Sequence, residues 1–150
     1  MTDDLAALAR TIIDSNRYMT IGTADANGRP WVSPVWFAPV DQREFLWVSD
    51  PEARHSRNLA ARPQVGIVIF DSHVPGGWTS VYVEAVAEEL PGAELERGIE
   101  VFSRRSAEQN LAAWTQVDVQ PPAHHRLYRA VASAHYVLTE KDRRVRVSFD

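Results

Sequence analysis

Cysteine does not occur anywhere in this 150-residue sequence. Disulfide frameworks, thiolate metal sites and cysteine nucleophiles are therefore excluded. No apolar stretch approaches the roughly 18 residues that cross a bilayer as a helix. The first residues contain no basic segment followed by an apolar run, so we expect neither a secretory signal nor a membrane partner. Together these absences predict a cytoplasmic protein.

The motifs of several large enzyme classes are also missing. There is no Gly-x-Gly-x-x-Gly or P-loop pattern, which argues against a Rossmann fold or a nucleoside-triphosphate site. There is no Gly-x-Ser-x-Gly nucleophile elbow. No His-Glu-x-x-His arrangement and no ligand pair on a predicted helix face occurs, so we predict no metal site. The five histidines are His55, His73, His124, His125 and His135.

The composition is that of an ordinary globular domain. Apolar residues make up 45% and charged residues 24% of the sequence, which separates it from disordered chains. The formal net charge of -4 gives no reason to expect nucleic acid or an anionic membrane as a partner. The length suits one domain and is short for two, so we predict a single domain over residues 1–150.

Apolar periodicity and a helix-start signal predict three helices. Apolar residues recur at i, i+3, i+4, i+7 and i+8 from Leu5, so the first helix should end near Ser15. A second is predicted to open at Asp50-Pro51-Glu52, as an N-cap followed by proline, and to run through Leu59. The third is indicated by the spacing of Leu95, Ile99 and Phe102.

The remaining regular segments have the composition of strands. Asn27-Gly28 predicts a hairpin turn between the first two strands, and the first three should form an antiparallel meander. With helices at intervals, the pattern indicates a mainly β, α+β domain of about six strands closed as a small barrel. The predicted strands are Tyr18–Thr23, Trp31–Phe37, Glu44–Ser49, Val65–Phe70, Thr79–Leu90 and Arg126–Leu138, with a short closing one at Val145–Phe149.

The junction between the third strand and the second helix has the residues of a phosphate site. Ser49 ends the strand, and Arg54 and His55 fall in the first turn of the helix. Free backbone N–H groups and the positive end of the helix dipole favour an anion there. The alternative is that Arg54 and His55 are solvated and that Asp50 alone caps the helix.

A second candidate segment is Ser33-Pro34-Val35-Trp36-Phe37. Proline inside a strand cannot donate to the ladder, so it marks an edge or a bulge that a ligand could approach. Trp36 would then form an aromatic wall of the site. The alternative is that the aromatic side chains fill a barrel core or a subunit interface. These are Trp31, Trp36, Phe37, Phe45 and Trp47.

Several short segments follow one another in a characteristic order and spacing. They are Gly28-Arg29-Pro30, Ser33–Phe37, Leu46-Trp47-Val48-Ser49, Arg54–Leu59, Arg62-Pro63-Gln64-Val65, Tyr82–Glu88 and Arg126–Arg129. In this order the chain resembles the pyridoxamine 5'-phosphate oxidase-like, flavin-binding split-barrel superfamily over nearly its whole length. The resemblance implies a six-stranded antiparallel split β-barrel with flanking helices.

The resemblance also implies a homodimer with two FMN sites at the subunit interface. In the family, the strand matching Ser33, Pro34, Val35 and Trp36 lines the flavin ring, largely through backbone groups. The positions of Val48, Ser49, Arg54 and His55 hold the phosphate, and Ser80 lies near a polar contact from the partner subunit. An interface is also expected because a small barrel that exposed several tryptophans would carry a large apolar patch. The tryptophans are Trp31, Trp36, Trp47, Trp78 and Trp114.

Two departures from the family pattern narrow the activity. His55 stands where the family commonly has lysine or arginine, so the phosphate site should be weaker or sensitive to pH. The arginine- and tryptophan-rich C-terminal segment of true pyridoxamine-phosphate oxidases is missing, which argues against pyridoxal phosphate synthesis.

The resemblance leaves three functions open. The first is an FMN-dependent oxidoreductase that acts on a small organic substrate, with the cofactor supplying the redox chemistry. The second uses the deazaflavin F420, whose acidic tail would lie along a basic groove to which Arg54, Arg57 and Arg62 could contribute. The alternative is that Arg57 and Arg62 are ordinary charges on the helix surface. The third is a flavin or haem carrier without turnover, with His73 as the first candidate axial ligand.

Overall fold

The computed structural model describes residues 2–74 and 80–149, which form three α-helices and eight strands. Helices and strands are numbered separately in chain order. They are α1 (Thr2–Ser15), β1 (Tyr18–Ala24), β2 (Pro30–Trp36), β3 (Ala38–Val40), β4 (Glu44–Ser49), α2 (Arg54–Ala61), β5 (Gln64–Phe70), β6 (Ser80–Glu89), α3 (Leu95–Glu108), β7 (Arg126–Thr139) and β8 (Arg143–Val147). Single 3-10 turns occupy Gly92–Glu94, Gln116–Val119 and Glu140–Asp142.

The strands form one antiparallel sheet that curls into a barrel. Their order is β2-β1-β5-β6-β7-β4-β3, and β8 adds to β7. Only Phe37 separates β2 from β3, so one bent segment forms both ends of the order and brings them together. Phe37 is fully buried, and its backbone N–H donates to the carbonyl of Arg17 at 3.2 Å. The mainly β, α+β split-barrel prediction is confirmed.

The described residues form eight strands, where the sequence predicts about six and a short closing one. The closing strand forms as β8, and the additional strand is the three-residue β3, which continues β2 beyond the bend. The first three predicted strands do not form a simple meander. Instead β4 pairs with β3 on one side and with β7 on the other, from Glu44↔Val131 to Ser49↔Arg126.

The second helix also begins later than predicted. The Asp50 carboxylate accepts the backbone N–H of Glu52 at 2.8 Å, and the Asp50 carbonyl accepts that of Ala53 at 3.0 Å. Asp50 therefore closes a turn, and α2 starts only at Arg54 with Ala53 as its N-cap residue. Within the described chain no side chain caps this helix, so its first N–H groups are left without a side-chain partner.

The barrel has an inner and an outer apolar core, which β4 separates. Phe45 and Trp47 belong to the inner core, where α1 packs against β5, β6 and β8. Leu46 belongs to the outer core, and Val48 packs against it beneath α3. Because side chains alternate along a strand, β4 contributes to both cores. Residues on the α3 side therefore lie on the other face of the sheet from the barrel interior.

The aromatic residues of β2 to β4 have different environments. Phe37, Phe45 and Trp47 are fully buried in the inner core, in agreement with the alternative that these aromatic side chains fill the barrel core. Trp31 stays exposed, and Trp36 is half-buried against the outer core. Trp78 and Thr79 lie outside the described residues. Within residues 2–74 and 80–149, no helix is long and apolar enough to cross a membrane.

Candidate functional site

The start of α2 places a positive charge beside an uncapped helix terminus. The guanidinium carbon of Arg54 lies 4.2 Å from the centroid of the Trp31 ring, a cation–π contact between α2 and β2. Arg54 also acts on the neighbouring hairpin. The pKa of Asp25 lies below its usual value, first because its carboxylate accepts the backbone N–H of Arg29 and also because of the Arg54 charge.

His55 points away from solvent, unlike Arg54. Its side chain is only 8% exposed, and its Nε2 lies 2.8 Å from the hydroxyl oxygen of Ser49. Burial lowers the pKa of His55 below its usual value, so the neutral imidazole is favoured at neutral pH. Of the predicted basic pair, Arg54 therefore supplies the charge, while His55 and Ser49 form a buried hydrogen bond that ties α2 to the end of β4.

The strand β2 presents a free backbone edge. The bond from Phe37 N–H to the Arg17 carbonyl makes Tyr18↔Trp36 a non-hydrogen-bonded pair of the β1–β2 ladder. Alternation then makes Thr20↔Pro34 another such pair. Pro34 therefore costs the ladder no hydrogen bond, and the backbone groups of Pro34 and Trp36 point away from β1.

The side chains of β2 divide between the two faces of the sheet. Val35 is buried in the inner core, so only its backbone remains for a ligand. Ser33 is half-buried and Pro34 is exposed on the strand. The Trp36 side chain faces α3, where its indole N–H donates to the side-chain oxygen of Gln109 at 2.7 Å.

A cavity of about 620 Å³ adjoins Trp36 on the α3 side of the barrel. Val48, one of the predicted cofactor residues, lines the same cavity, while its neighbour Ser49 contacts His55. The structure therefore brings the end of β4 between the start of α2 and this cavity. The lining residues are Tyr18, Trp36, Val48, Phe102, Ser106, Leu111, Ala112, Ala113, Trp114, Asp118 and His125.

Most of this cavity wall was missed by the sequence analysis. Periodicity placed Phe102 on an apolar helix face, but it did not indicate what that face covers. The segment from Leu111 to Asp118 has no regular pattern, so it carried no signal of a ligand site. Its position against β2 and β4 follows from tertiary packing alone.

Ser80 lies far from the Arg54 end of the sheet within one chain. It opens β6 opposite Phe70, whereas Val86 pairs with Gln64 at the other end. Val86 lies six residue steps along β6 from Ser80, which corresponds to about 20 Å. The structure therefore does not bring Ser80 together with Arg54 in a single chain.

The residues predicted to bind F420 or haem lie in different parts of the structure. Arg62 donates to the carbonyl of Ala26 at 2.7 Å and so supports the β1–β2 hairpin. Arg57 is exposed on α2. His73 has a side chain that is 95% exposed and lies 3.4 Å from the Asp71 carboxylate. In the described part of the chain, no group of three His, Asp or Glu side chains could hold a metal ion.

Comparison with known proteins identifies the family. Residues 5–138 match the family described as pyridoxamine 5'-phosphate oxidase. A relative from Anaeromyxobacter dehalogenans, named pyridoxine/pyridoxamine 5'-phosphate oxidase, is 33% identical over 118 residues. That match covers 77% of this chain and 57% of the relative. The chain thus spans little more than half the length of this curated relative.

Solved structures share the fold at lower identity. A haem-binding protein from Mycobacterium smegmatis superposes with a TM-score of 0.74 and 22% identity, covering 96% of this chain and 57% of that one. An F420 reductase superposes with a TM-score of 0.62 and 17% identity, covering 84% of this chain and 94% of that one. The barrel, the β2 edge and the family match over residues 5–138 lead to one assignment. The chain belongs to the pyridoxamine 5'-phosphate oxidase family.

Proposed function

We propose that this protein is an FMN-dependent oxidoreductase that acts on a small organic substrate. The observation that carries the proposal is the start of α2, where Arg54 stands beside N–H groups that no described side chain caps. A phosphate placed there would accept hydrogen bonds from the helix terminus and neutralise the guanidinium. Family membership supports a cofactor that carries such a phosphate.

The flavin ring would lie along the free edge of β2. Pro34 and Trp36 direct backbone groups away from β1, and these match the polar edge of the pyrimidine portion of a flavin. Val48 and the Trp36 indole would provide apolar contacts beside the ring. The proposed cofactor residues remain Ser33, Pro34, Val35, Trp36, Val48, Ser49, Arg54, His55 and Ser80.

When bound, FMN supplies the hydride and electron transfer itself. The roles left to the chain are binding, orientation and exclusion of water. Arg54 would hold the phosphate, the β2 edge would orient the ring, and the aromatic wall around Trp36 would keep water from one side. This division of labour accounts for the lack of an evident side-chain nucleophile or general acid in the sequence.

The proposal includes a homodimer with the cofactor sites at its interface. Val32 is exposed beside Trp31 on β2. A largely apolar depression of about 450 Å³ continues from Val32 across Gly22, Gly66 and Val68 to the β6 surface. A second copy on this face would bury the patch and would bring its own Ser80 to the site.

Deazaflavin F420 is the second candidate cofactor, since an F420 reductase shares the fold. Its longer acidic tail requires further cations beyond Arg54. Arg57 is exposed and available on α2, but Arg62 is already engaged with the Ala26 carbonyl. The described basic groups therefore favour the shorter FMN.

A non-catalytic flavin or haem carrier is the third candidate, and a haem-binding protein with this fold supports it. The axial ligand proposed for haem was His73. Its almost complete exposure and its contact with Asp71 place it in solvent rather than in an apolar haem pocket. This environment favours the flavin over haem.

Visible absorption spectra recorded with FMN, F420 and haem in turn would test the choice of cofactor. We expect FMN to produce a flavin spectrum that persists through gel filtration and is bleached by a chemical reductant. Retention of F420 or haem in place of FMN would contradict the proposed cofactor. A protein that retains none of the three would contradict the oxidoreductase proposal as a whole.

A further inference from the structure

The cavity on the α3 side of the barrel has an aromatic wall, and we call it the α3 cavity. Trp36 and Phe102 meet edge to face with centroids 4.9 Å apart, and Phe102 and Trp114 meet similarly at 5.8 Å. His125 continues the series, 6.2 Å from Trp114. Edge-to-face contacts of this kind stabilise each ring against its neighbour.

Hydrogen bonds hold two of these rings in place. The Trp36 indole donates to Gln109, which directly follows α3. The backbone N–H of Trp114 donates to the Ser103 hydroxyl at 3.0 Å, which fastens the following loop to α3. The wall is therefore arranged before any ligand binds, which lowers the entropy cost of binding a flat molecule.

The described lining of the α3 cavity contains one carboxylate and, beside the His125 imidazole, no basic side chain. Asp118 lines it, and its carboxylate is held there by the backbone N–H and hydroxyl of Thr115 at 2.8 and 3.0 Å. None of the described lining residues is an arginine or a lysine. A phosphate or carboxylate would therefore meet the Asp118 carboxylate with only the His125 imidazole as a basic group beside it, whereas a neutral or cationic molecule would meet no such repulsion.

One buried polar group on the wall also lacks a partner. Ser106 is only 1% exposed, and its hydroxyl makes no hydrogen bond within the described chain. Burying a hydroxyl without a partner has a free-energy cost, which a ligand with a polar edge could remove. Ser106 lies on α3 among the residues that line the cavity.

We propose that the α3 cavity is the substrate pocket and that its substrate is a planar aromatic molecule, uncharged or cationic, without a phosphate or carboxylate. Its role as a substrate rests on the proposed function, because Trp36 and Val48 would adjoin both the flavin and the cavity. The preference for uncharged aromatic molecules depends only on the lining. The chain therefore differs from an enzyme whose substrate is a phosphate ester.

Calorimetric titration with three matched compounds tests this preference: 1-naphthol, 1-naphthyl phosphate and N-methylquinolinium. We expect naphthol and methylquinolinium to bind at least about tenfold more tightly than naphthyl phosphate, with and without FMN present. Equal or tighter binding of the phosphate would overturn the proposal. Loss of naphthol binding when FMN is added would also overturn it, because the flavin would then occupy the cavity.

Two charge variants locate the binding site. Leu111→Lys adds a cation to the cavity wall, while Val117→Lys adds one at a site that is 73% exposed and outside the lining. We expect L111K alone to tighten naphthyl phosphate and weaken methylquinolinium, each by about tenfold. Equal effects of the two variants would overturn the proposal. Because these titrations need no flavin, failure to bind FMN would count against the proposed function only.

Discussion

At the scale of single residues, Arg54 and His55 show how neighbouring side chains with similar chemistry acquire different roles. Both fall in the first turn of α2, and the sequence treats them as a basic pair. The structure places Arg54 over Trp31, whereas His55 is buried against Ser49 with a lowered pKa. The sequence predicts a phosphate site that is sensitive to pH because of His55. In the structure this histidine is a buried, neutral imidazole and not a cation that faces the ligand.

The first prediction concerns the phosphate contact. Arg54→Ala should weaken FMN binding by roughly 1.5–3 kcal/mol, the range for a hydrogen bond to a charged group. This corresponds to about a ten- to 150-fold rise in the dissociation constant, measured by quenching of flavin fluorescence.

The matched control is Arg57→Ala, which removes the same charge from the exposed side of α2. It should leave FMN affinity nearly unchanged. If R54A and R57A weaken binding equally, the effect is one of overall charge and Arg54 is not a specific phosphate ligand. If neither changes it, the start of α2 is not the phosphate site.

At the scale of elements, Arg129 on β7 joins four parts of the fold. Its guanidinium contacts Glu88 on β6 at 2.5 Å, Glu94 in the turn before α3 at 2.7 Å, and Glu44 on β4 at 3.3 Å. The hydrogen bond that Arg129 donates to Glu94, followed by the one it donates to Glu88, raises the pKa of Arg129. The cation is therefore permanently charged and compensates three carboxylates that would otherwise repel one another.

The second prediction is that Arg129→Ala lowers the free energy of unfolding by about 2 kcal/mol, because it removes a largely buried cation and leaves three carboxylates close together without one. Urea unfolding followed by circular dichroism would measure the loss. Arg144→Ala, which breaks an exposed ion pair with Asp142, should lower the free energy of unfolding much less than Arg129→Ala does.

The pH dependence of this loss of stability shows whether Arg129 stabilises the fold through its charge or through packing of its side chain. The hydrogen bond from Arg129 holds the pKa of Glu94 below its usual value, so this stabilisation is present above the usual carboxylate pKa and is lost as the pH falls through the lowered one. The difference in the free energy of unfolding between R129A and the unmodified protein should therefore narrow as the pH is lowered through that range. A difference that stays constant with pH would show that Arg129 stabilises the fold through packing of its alkyl chain instead.

At the scale of the whole molecule, the exposed apolar face of β1, β2 and β5 supports the proposed homodimer. Val32 is 65% exposed at the margin of the depression that continues across this face. Within one chain, Ser80 lies about 20 Å along β6 from the end of the sheet where Arg54 is located. A two-fold arrangement would let one copy complete the site of the other, which a monomer cannot do.

The third prediction tests this interface. Val32→Glu would place a carboxylate on the self-associating face of both copies, and like charges across an interface oppose association. We expect light scattering at micromolar concentration to show a dimer for the unmodified protein and a monomer for V32E. Val117→Glu, at a similarly exposed valine, should remain dimeric. A monomeric unmodified protein would contradict the homodimer.

Local patterns in the sequence were sufficient for much of the fold. The spacing from Leu5 predicted α1, and Asn27-Gly28 marked the β1–β2 turn. These features depend on the periodicity of helices and strands and on the backbone preferences of single residues. The order and spacing of short segments along the sequence also indicated the family. Ser49 at the end of β4 and the basic pair at the start of α2 came from the same local reasoning, whereas Val48 and Ser80 came only from the family resemblance.

Only tertiary packing decided how these pieces face one another. The bend at Phe37 lets one segment form both ends of the strand order, and β4 pairs with β3 beyond this bend and with β7 on its other side. Burial gave His55 an environment different from that of Arg54. The packing of α3 and of the irregular segment after it formed a cavity that no pattern in the sequence predicted. The physical reason is that periodicity specifies which face of an element is buried, whereas contacts between distant segments determine what covers that face.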